Sequence, residues 1–216
     1  MNKMSPVWIP SAQAQAPNGS DYIAPDASGQ NFFDIDPALH HLLDLYMPAD
    51  ERAHFEPHMR RMGEIAGGRL DALSREAERH APVLHPRDRY GRDEDWIEYC
   101  GAYKEMERIA FEEFGFQAMT NRAGVMGWPK PMSYFAKYVF QYLFVQAEFG
   151  IMCPVSVSDT SAFLLGRYAD QETYDLYYDR MVSQDPARFL SGAQFMTEKA
   201  LSLIHISSPR DGDESR

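Results

Sequence analysis

Glu51 and His54 form a Glu-x-x-His spacing inside a stretch with helical periodicity. On a helix this spacing places both side chains on one face, where in helical bundles such pairs supply ligands of a carboxylate-bridged di-iron site. That site needs a second Glu-x-x-His and further inward-facing glutamates, and the sequence holds no second copy. We therefore interpret the pair as part of a solvated polar face and predict no metal site.

Cys153 is a second candidate for chemistry, within residues 152–158, MCPVSVS. A nucleophilic cysteine needs a positioned histidine, and none lies near it in the sequence. We interpret Cys153 as a small buried residue at a helix end. The sequence also lacks a Gly-x-Gly-x-x-Gly motif, a phosphate-binding loop and a nucleophile elbow.

The composition limits the class of protein. The 216 residues carry 21 Lys and Arg against 32 Asp and Glu, a net charge of −11, and 44% of them are apolar. These values are typical of a soluble globular protein, and the acidic balance disfavours a dedicated nucleic-acid binder. Because there are two cysteines, no signal-peptide pattern and no long uncharged apolar run, we expect a cytoplasmic protein without a membrane span.

Helical periodicity begins near residue 35. Asp36 before Pro37 predicts a helix start, with an aspartate N-cap and a proline in the first turn. A longer amphipathic helix is predicted after Pro48, with its apolar face extending to Ala77 and a kink or a true start at Pro57. Residues 82–95 are predicted to form a charged loop, and residues 93–114 a further amphipathic helix.

Residues 133–150 are the most apolar part of the chain. Their polar positions fall on one narrow face, so this segment is predicted to be a central helix that is packed on most sides; those positions are Ser133, Lys137, Gln141 and Glu148. Two shorter helices are predicted over residues 160–168 and 171–182, with Asp159 and Asp170 as their N-caps.

The two ends of the chain differ from its centre. Residues 1–34 lack apolar periodicity over most of their length and are predicted to be a flexible N-terminal arm. In the tail at 201–216, LSLIHISSPRDGDESR, residues 201–207 match the translated end of a transposon-based sequencing adapter, and residues 208–211 fit the adjoining adapter segment after a one-base frame slip. We hypothesise that native sequence ends near Ala200; the alternative is a natural C-terminal extension. Re-amplifying the locus from the source DNA tests this hypothesis. Native codons that continue into Leu201 and the residues after it would contradict it.

Residues 191–199, SGAQFMTEK, resemble the segment that leads from the helical domain into the β-domain in the acyl-CoA dehydrogenase family. In that family the Met-Thr-Glu run usually continues into Gly-Gly-Ser-Asp or Ala-Gly-Ser-Asp, which is missing here. Residues 152–158, together with Lys199 after Met-Thr-Glu, are similar to the alkylation-response branch of the family. The resemblance covers about residues 35–200.

The resemblance implies an all-α fold. It divides the chain into the arm at 1–34, an acyl-CoA dehydrogenase-like N-terminal helical domain at 35–185, the first strand of a truncated middle β-domain at 186–200, and the tail at 201–216.

The resemblance also implies a function for the intact parent protein. Members of the family oxidise an acyl-CoA to the 2,3-enoyl-CoA by abstraction of the α proton and transfer of the β hydride to FAD. Gln194, Met196 and Thr197 match the positions that contact the flavin, and Thr197 is the strongest candidate among them. The catalytic base of the family is a glutamate of the C-terminal domain, so it is not assigned here and this chain alone is expected to be inactive.

Residues 134–149 and 153–158 are expected to line the acyl pocket. The implied partners are an acyl-CoA substrate and further copies of the full-length protein, as a dimer or tetramer. We expect no membrane partner, and we expect DNA binding only through regions outside this chain. Two alternatives stay open, a flavin-containing alkylation-response protein that protects DNA with little dehydrogenase activity, and a non-catalytic helical bundle.

Overall fold

The computed structural model describes residues 26–194, which form a mainly helical domain and confirm the predicted all-α class. Two π-helical turns interrupt the helices, one at Ala66–Leu70 and one at Arg108–Glu113. The helices and strands are α1 (Pro37–Tyr46), α2 (Ala49–Ile65), α3 (Asp71–Ala77), β1 (Val83–Arg87), β2 (Asp93–Glu98), α4 (Gly101–Glu107), α5 (Tyr134–Val145), α6 (Met152–Tyr168) and α7 (Gln171–Met181).

Two of the predicted helix starts are confirmed by their N-caps. Asp36 Oδ1 accepts a hydrogen bond from the Leu39 backbone N–H at 2.9 Å, with Pro37 in the first turn. Asp170 Oδ1 accepts one from the Thr173 N–H at 2.8 Å. Each carboxylate thus satisfies a backbone donor that has no partner inside its helix.

Helix α2 runs through Pro57 without ending, because only the local hydrogen bond is lost and the apolar face remains fully buried against the core. Residues 26–34, which the sequence assigns to the N-terminal arm, lie along this helix. The Gly29 N–H donates to the Gly67 carbonyl at 2.5 Å, and Phe32 N–H donates to Gly63 O at 3.1 Å.

Residues 82–98 fold differently from the sequence prediction. Strands β1 and β2 form an antiparallel hairpin, with Leu84 opposite Ile97 and His85 opposite Trp96. The predicted charged loop is therefore wrong over β1, and the helix predicted from residue 93 begins only at Gly101. The charges that suggested a solvated loop pair across the strands instead, as Arg87 does with Asp93 at 3.3 Å.

Helix α5 is central, as predicted, but its exposed face is not the predicted one. Phe140 is fully buried, with its ring centroid 6.1 Å from that of Phe55. Lys137, placed by sequence on the polar face, is only 3% exposed. Three tyrosines spaced four residues apart face solvent instead, namely Tyr134, Tyr138 and Tyr142. The reason is an ion pair with α6, which the sequence of α5 does not reveal.

Helix α6 begins at Met152, so Asp159 lies inside it and the prediction of Asp159 as an N-cap is wrong. Pro154 is compatible with this longer helix because it occupies the first turn, where backbone N–H groups have no helical partner. Among residues 26–194, no helix has the length and apolarity that crossing a membrane requires.

Candidate functional site

Residues 183–194 leave α7 and fold back across the domain, and polar side chains hold the beginning of this return segment. Gln117, which is fully buried, donates through Nε2 to the Ser183 carbonyl at 2.7 Å. Gln184 Nε2 donates to the Glu112 carbonyl at 2.6 Å. These bonds fasten the start of the return segment to the π-helical turn and the loop that follows it.

The far end of the return segment is anchored to α6. The Gly192 N–H donates to Ser158 Oγ at 3.1 Å, and Ser158 is fully buried. A Cβ at Gly192 would lie 2.7 Å from Ser161 Cβ and 3.1 Å from the Val157 carbonyl oxygen. The close approach of backbone and helix therefore requires glycine at this position.

The predicted cofactor-binding residues follow directly after this anchor. Gln194 is exposed, and residues 191–194 are not part of a strand. Met196 and Thr197 lie outside the described residues, as do residues 1–25 of the predicted arm and the tail at 201–216. Flavin contact by Gln194, Met196 and Thr197 remains a prediction.

A cavity of about 400 Å³ lies between the C-terminal half of α5 and the first turns of α6. It joins the two segments that were expected to line an acyl pocket, and its wall consists of Gln141, Val145, Phe149, Met152, Cys153 and Ser156. We call it the α5–α6 cavity. Cys153 is exposed, so its predicted burial is wrong. The early start of α6 turns this side chain toward the cavity mouth, away from the core.

A second cavity, of about 590 Å³, lies between α4, the π-helical turn after it and the return segment. Pro154 and Ser191, one from each sequence motif, contribute to its wall. Burial raises the pKa of the Glu107 carboxyl here, although the Lys104 ammonium opposes the shift. Burial, with a smaller effect of Glu107, raises the pKa of Tyr103 to about 12. No local sequence pattern predicts this cavity, because its wall combines residues far apart in the chain.

The Glu-x-x-His pair serves a structural role. Glu51 is 5% exposed and accepts a hydrogen bond from Ser133 Oγ at 2.6 Å, so its predicted solvation is wrong. His54 Nε2 lies 3.0 Å from the Met126 carbonyl oxygen. Within residues 26–194, no cluster of three or more His, Cys, Asp or Glu side chains is arranged to hold a metal ion.

Over the part of the chain that the structure describes, seven helices and a return segment anchored on the sixth form a helical domain similar to that of the acyl-CoA dehydrogenases. The chain belongs to the family of the adaptive response protein AidB N-terminal domain, whose model matches residues 23–185. This match confirms the resemblance to the acyl-CoA dehydrogenase family and its alkylation-response branch.

Relatives and solved structures agree with this assignment. Acyl-CoA dehydrogenase family member 11 of Caenorhabditis elegans is 24% identical over 178 residues, 78% of this chain and 27% of that protein. The structure of Bd2924 in its apo-form matches with a TM-score of 0.70 and 29% identity, covering 80% of this chain and 33% of the other. The crystal structure of C. elegans ACDH-11 in complex with C11-CoA matches with a TM-score of 0.66 and 23% identity, over 86% and 31%. This chain thus spans between 27% and 33% of the length of these relatives.

Proposed function

We propose that this chain is the N-terminal helical part of an FAD-dependent acyl-CoA dehydrogenase that converts an acyl-CoA to the 2,3-enoyl-CoA. One observation carries the proposal, the anchoring of Gly192 on Ser158 of α6, the helix that also lines the α5–α6 cavity. The residues that resemble the flavin-contacting run of the family follow this anchor within five positions. In this proposal, the segment that leads to the cofactor-contacting residues and the cavity that receives the acyl chain are thus attached to the same helix.

The described residues leave the beginning of the proposed flavin-contacting run accessible. Gly192 lets the backbone lie against α6, and Ala193 and Gln194 beyond it are exposed. In the proposal, Gln194, Met196 and Thr197 would hold the flavin, with the hydroxyl and amide of Thr197 as hydrogen-bond donors. When bound, FAD supplies the acceptor for the hydride that leaves the acyl group.

The α5–α6 cavity is proposed to receive the acyl chain. Val145, Phe149 and Met152 give it an apolar wall, which favours a hydrocarbon chain over water. A comparison supports this role, since the ACDH-11 structure is described as a complex with C11-CoA. The base that removes the α proton is proposed to come from a domain outside this chain, so we expect no turnover by the 216 residues alone.

The proposal is tested with the full-length native protein, recovered by re-amplifying the locus and purified without added flavin. We expect stoichiometric FAD absorbance that is bleached by at least one acyl-CoA in an anaerobic chain-length series. A protein free of flavin would contradict both the dehydrogenase and the DNA-protection alternative, and would favour a non-catalytic helical bundle. The matched control is the 216-residue chain, which is expected to retain no stoichiometric flavin.

The family match favours one further candidate, a flavin-containing adaptive response protein that protects DNA and has little dehydrogenase activity. For this candidate we expect flavin that no acyl-CoA bleaches, and DNA contacts through regions outside this acidic chain. In both cases we propose a cytoplasmic protein that forms a homodimer or homotetramer at full length.

A further inference from the structure

A buried ion pair connects α5 and α6 a short distance from the candidate site. Lys137 Nζ donates to Asp159 Oδ2 at 2.8 Å, and only 3% of the Lys137 side chain is exposed, against 14% for Asp159. Removing two charges from water is costly, and their attraction offsets that cost only when the remaining polar atoms are also satisfied. This pair therefore requires further partners.

Those partners come from the loop that precedes α5. Asn121 Nδ2 donates to Asp159 Oδ1 at 3.1 Å and also to the Gln117 carbonyl at 2.9 Å. Gln117 is the residue that holds Ser183 at the start of the return segment. Hydrogen bonds, together with the side chain of Gln117, therefore connect Lys137 on α5, through Asp159 on α6, to the return segment.

Asp159 is also adjacent to the residue that anchors the other end of that segment. Ser158 and Asp159 are consecutive on α6 and differ by about 100° in direction around the helix axis. Asp159 faces α5, whereas Ser158 faces Gly192. Any rotation of α6 that displaces the Asp159 carboxylate consequently displaces the Ser158 hydroxyl as well.

We propose that Lys137 and Asp159 are positioning residues, which set the rotation of α6 and thereby the place of the Gly192 segment and the width of the α5–α6 cavity. Their catalytic meaning rests on the proposed function, because the segment they place is the one proposed to contact the flavin. The structural part of the inference stands on the contacts alone. The ion pair thus fixes the position of the Gly192 segment, in addition to any contribution to overall stability.

Two variants and one control separate positioning from stability. Lys137→Met removes the ammonium with little change of shape. The double variant Lys137→Met with Asp159→Leu replaces the pair by apolar side chains, a change that is often neutral or stabilising for a buried pair. Ser133→Ala is the control, since it loses the bond to Glu51 and the N-cap bond from the Ala136 N–H at the start of α5 but touches neither Asp159 nor Gly192.

The measurement is hydrogen exchange of the Gly192 amide, taken relative to the global unfolding equilibrium of each variant in the 216-residue chain. In both Lys137 variants, we expect the Gly192 amide to exchange at least tenfold faster than the rate that global unfolding of the same variant predicts. The double variant should keep this fast exchange while recovering the wild-type melting temperature, because it lacks both the ion pair and the hydrogen bond from Asn121 to Asp159. Ser133→Ala should exchange Gly192 only as fast as its own global stability dictates.

Recovery of both the melting temperature and slow Gly192 exchange in the double variant would overturn the proposal. The proposal would also be overturned if the Gly192 amide of Lys137→Met exchanged only at the rate that global unfolding predicts. If Lys137→Met does not fold, the double variant decides by itself. The experiment contains neither flavin nor acyl-CoA, so a failed flavin test would contradict the proposed function and leave this result intact.

Discussion

The helix pair α5–α6 and the β1–β2 hairpin each contain an ion pair, but the pair is buried between the helices and exposed on the hairpin. Lys137 pairs with Asp159 at 2.8 Å in the interior, whereas Arg87 pairs with Asp93 at 3.3 Å with both side chains at least two-thirds exposed. Exposed pairs contribute little because water competes for both charges. A buried pair, once formed, strongly penalises any arrangement that separates it. The interior pair thus specifies geometry, while the exposed pair contributes little to the stability of the hairpin.

The two regions also bury different amounts of apolar surface. On α5, Phe140, Leu143 and Phe144 are fully buried. In the hairpin, Leu84 is 61% exposed and Ile97 48%, although they face each other across the strands. A two-stranded hairpin of this kind is marginal by itself. We therefore expect the helix pair to determine global stability, and the hairpin to unfold locally without consequence for the site.

The largest expected effect is that of Phe140→Ala. It removes a fully buried ring between Phe55 and Phe114, whose centroids lie 6.1 and 6.2 Å away. The cavity left behind should lower the free energy of unfolding by about 3–5 kcal/mol, measured by urea denaturation. Leu84→Ala in the hairpin is the comparison and should change it by less than about 0.5 kcal/mol. Equal losses would refute the division between the two regions.

The next largest effect is expected for Gly192→Ala. The new methyl group would meet Ser161 Cβ at 2.7 Å, so the return segment must move away from α6. Overpacking of this kind costs about 1–3 kcal/mol, here concentrated in the anchoring of residues 189–194. We expect faster limited proteolysis within this segment. Gly101→Ala, at the start of α4 with no atom within 4 Å of the new Cβ, is the control and should leave the cleavage rate unchanged.

Trp96→Ala tests the hairpin itself. Trp96 stacks on His85 with ring centroids 4.3 Å apart, and a cross-strand pair of this kind contributes about 0.2–1 kcal/mol. Amide exchange in residues 83–87 should accelerate accordingly, while the urea midpoint of the whole domain stays the same. A shift of that midpoint comparable to the Phe140→Ala shift would show that the hairpin is coupled to the core.

The smallest expected effect is a loss of stability at alkaline pH, caused by the ionisation of Tyr142 on α5. Tyr142 donates to Asp36 Oδ2 at 2.6 Å, and this hydrogen bond, followed by burial, raises the pKa of Tyr142 to about 12 from its ordinary 10.0. The folded state thus keeps a proton that the unfolded state loses, so its stabilisation is complete below pH 10 and declines as the pH rises toward 12. Melting temperatures recorded across this range should fall less in Tyr142→Phe than in the wild type. Identical slopes would contradict the pKa shift.

Local signals predicted several elements well because their causes are themselves local. The caps Asp36 and Asp170 each bond a backbone N–H three residues away, so type and spacing suffice to predict them. The hairpin was missed because its strands are short, charged and exposed, and their pairing joins residues between 6 and 15 positions apart. Gly91 with a φ of 82° and the Asp88 carboxylate close its turn, which reads as a loop in sequence.

The candidate site divides in the same way. Residues 152–158 and 191–199 were found as contiguous motifs, and the family they indicate is confirmed. The cavity between α5 and α6 was expected only in outline. Cys153, which lines this cavity, was expected inside the core. The ion pair between Lys137 and Asp159 was not predicted. Periodicity places a lysine on a polar face unless a carboxylate from another helix pairs with it, and no local pattern contains that carboxylate.

The sequence alone thus determined the helical class, the family and the order of the segments, because apolar periodicity, capping residues and contiguous motifs act over a few neighbouring positions. Only the tertiary structure decided which side of α5 is buried, where α6 begins and how Gly192 meets Ser158. Those features depend on pairs of residues 22 to 34 positions apart in the chain. Such pairs meet only after the chain has packed, and burial then makes their geometry costly to change.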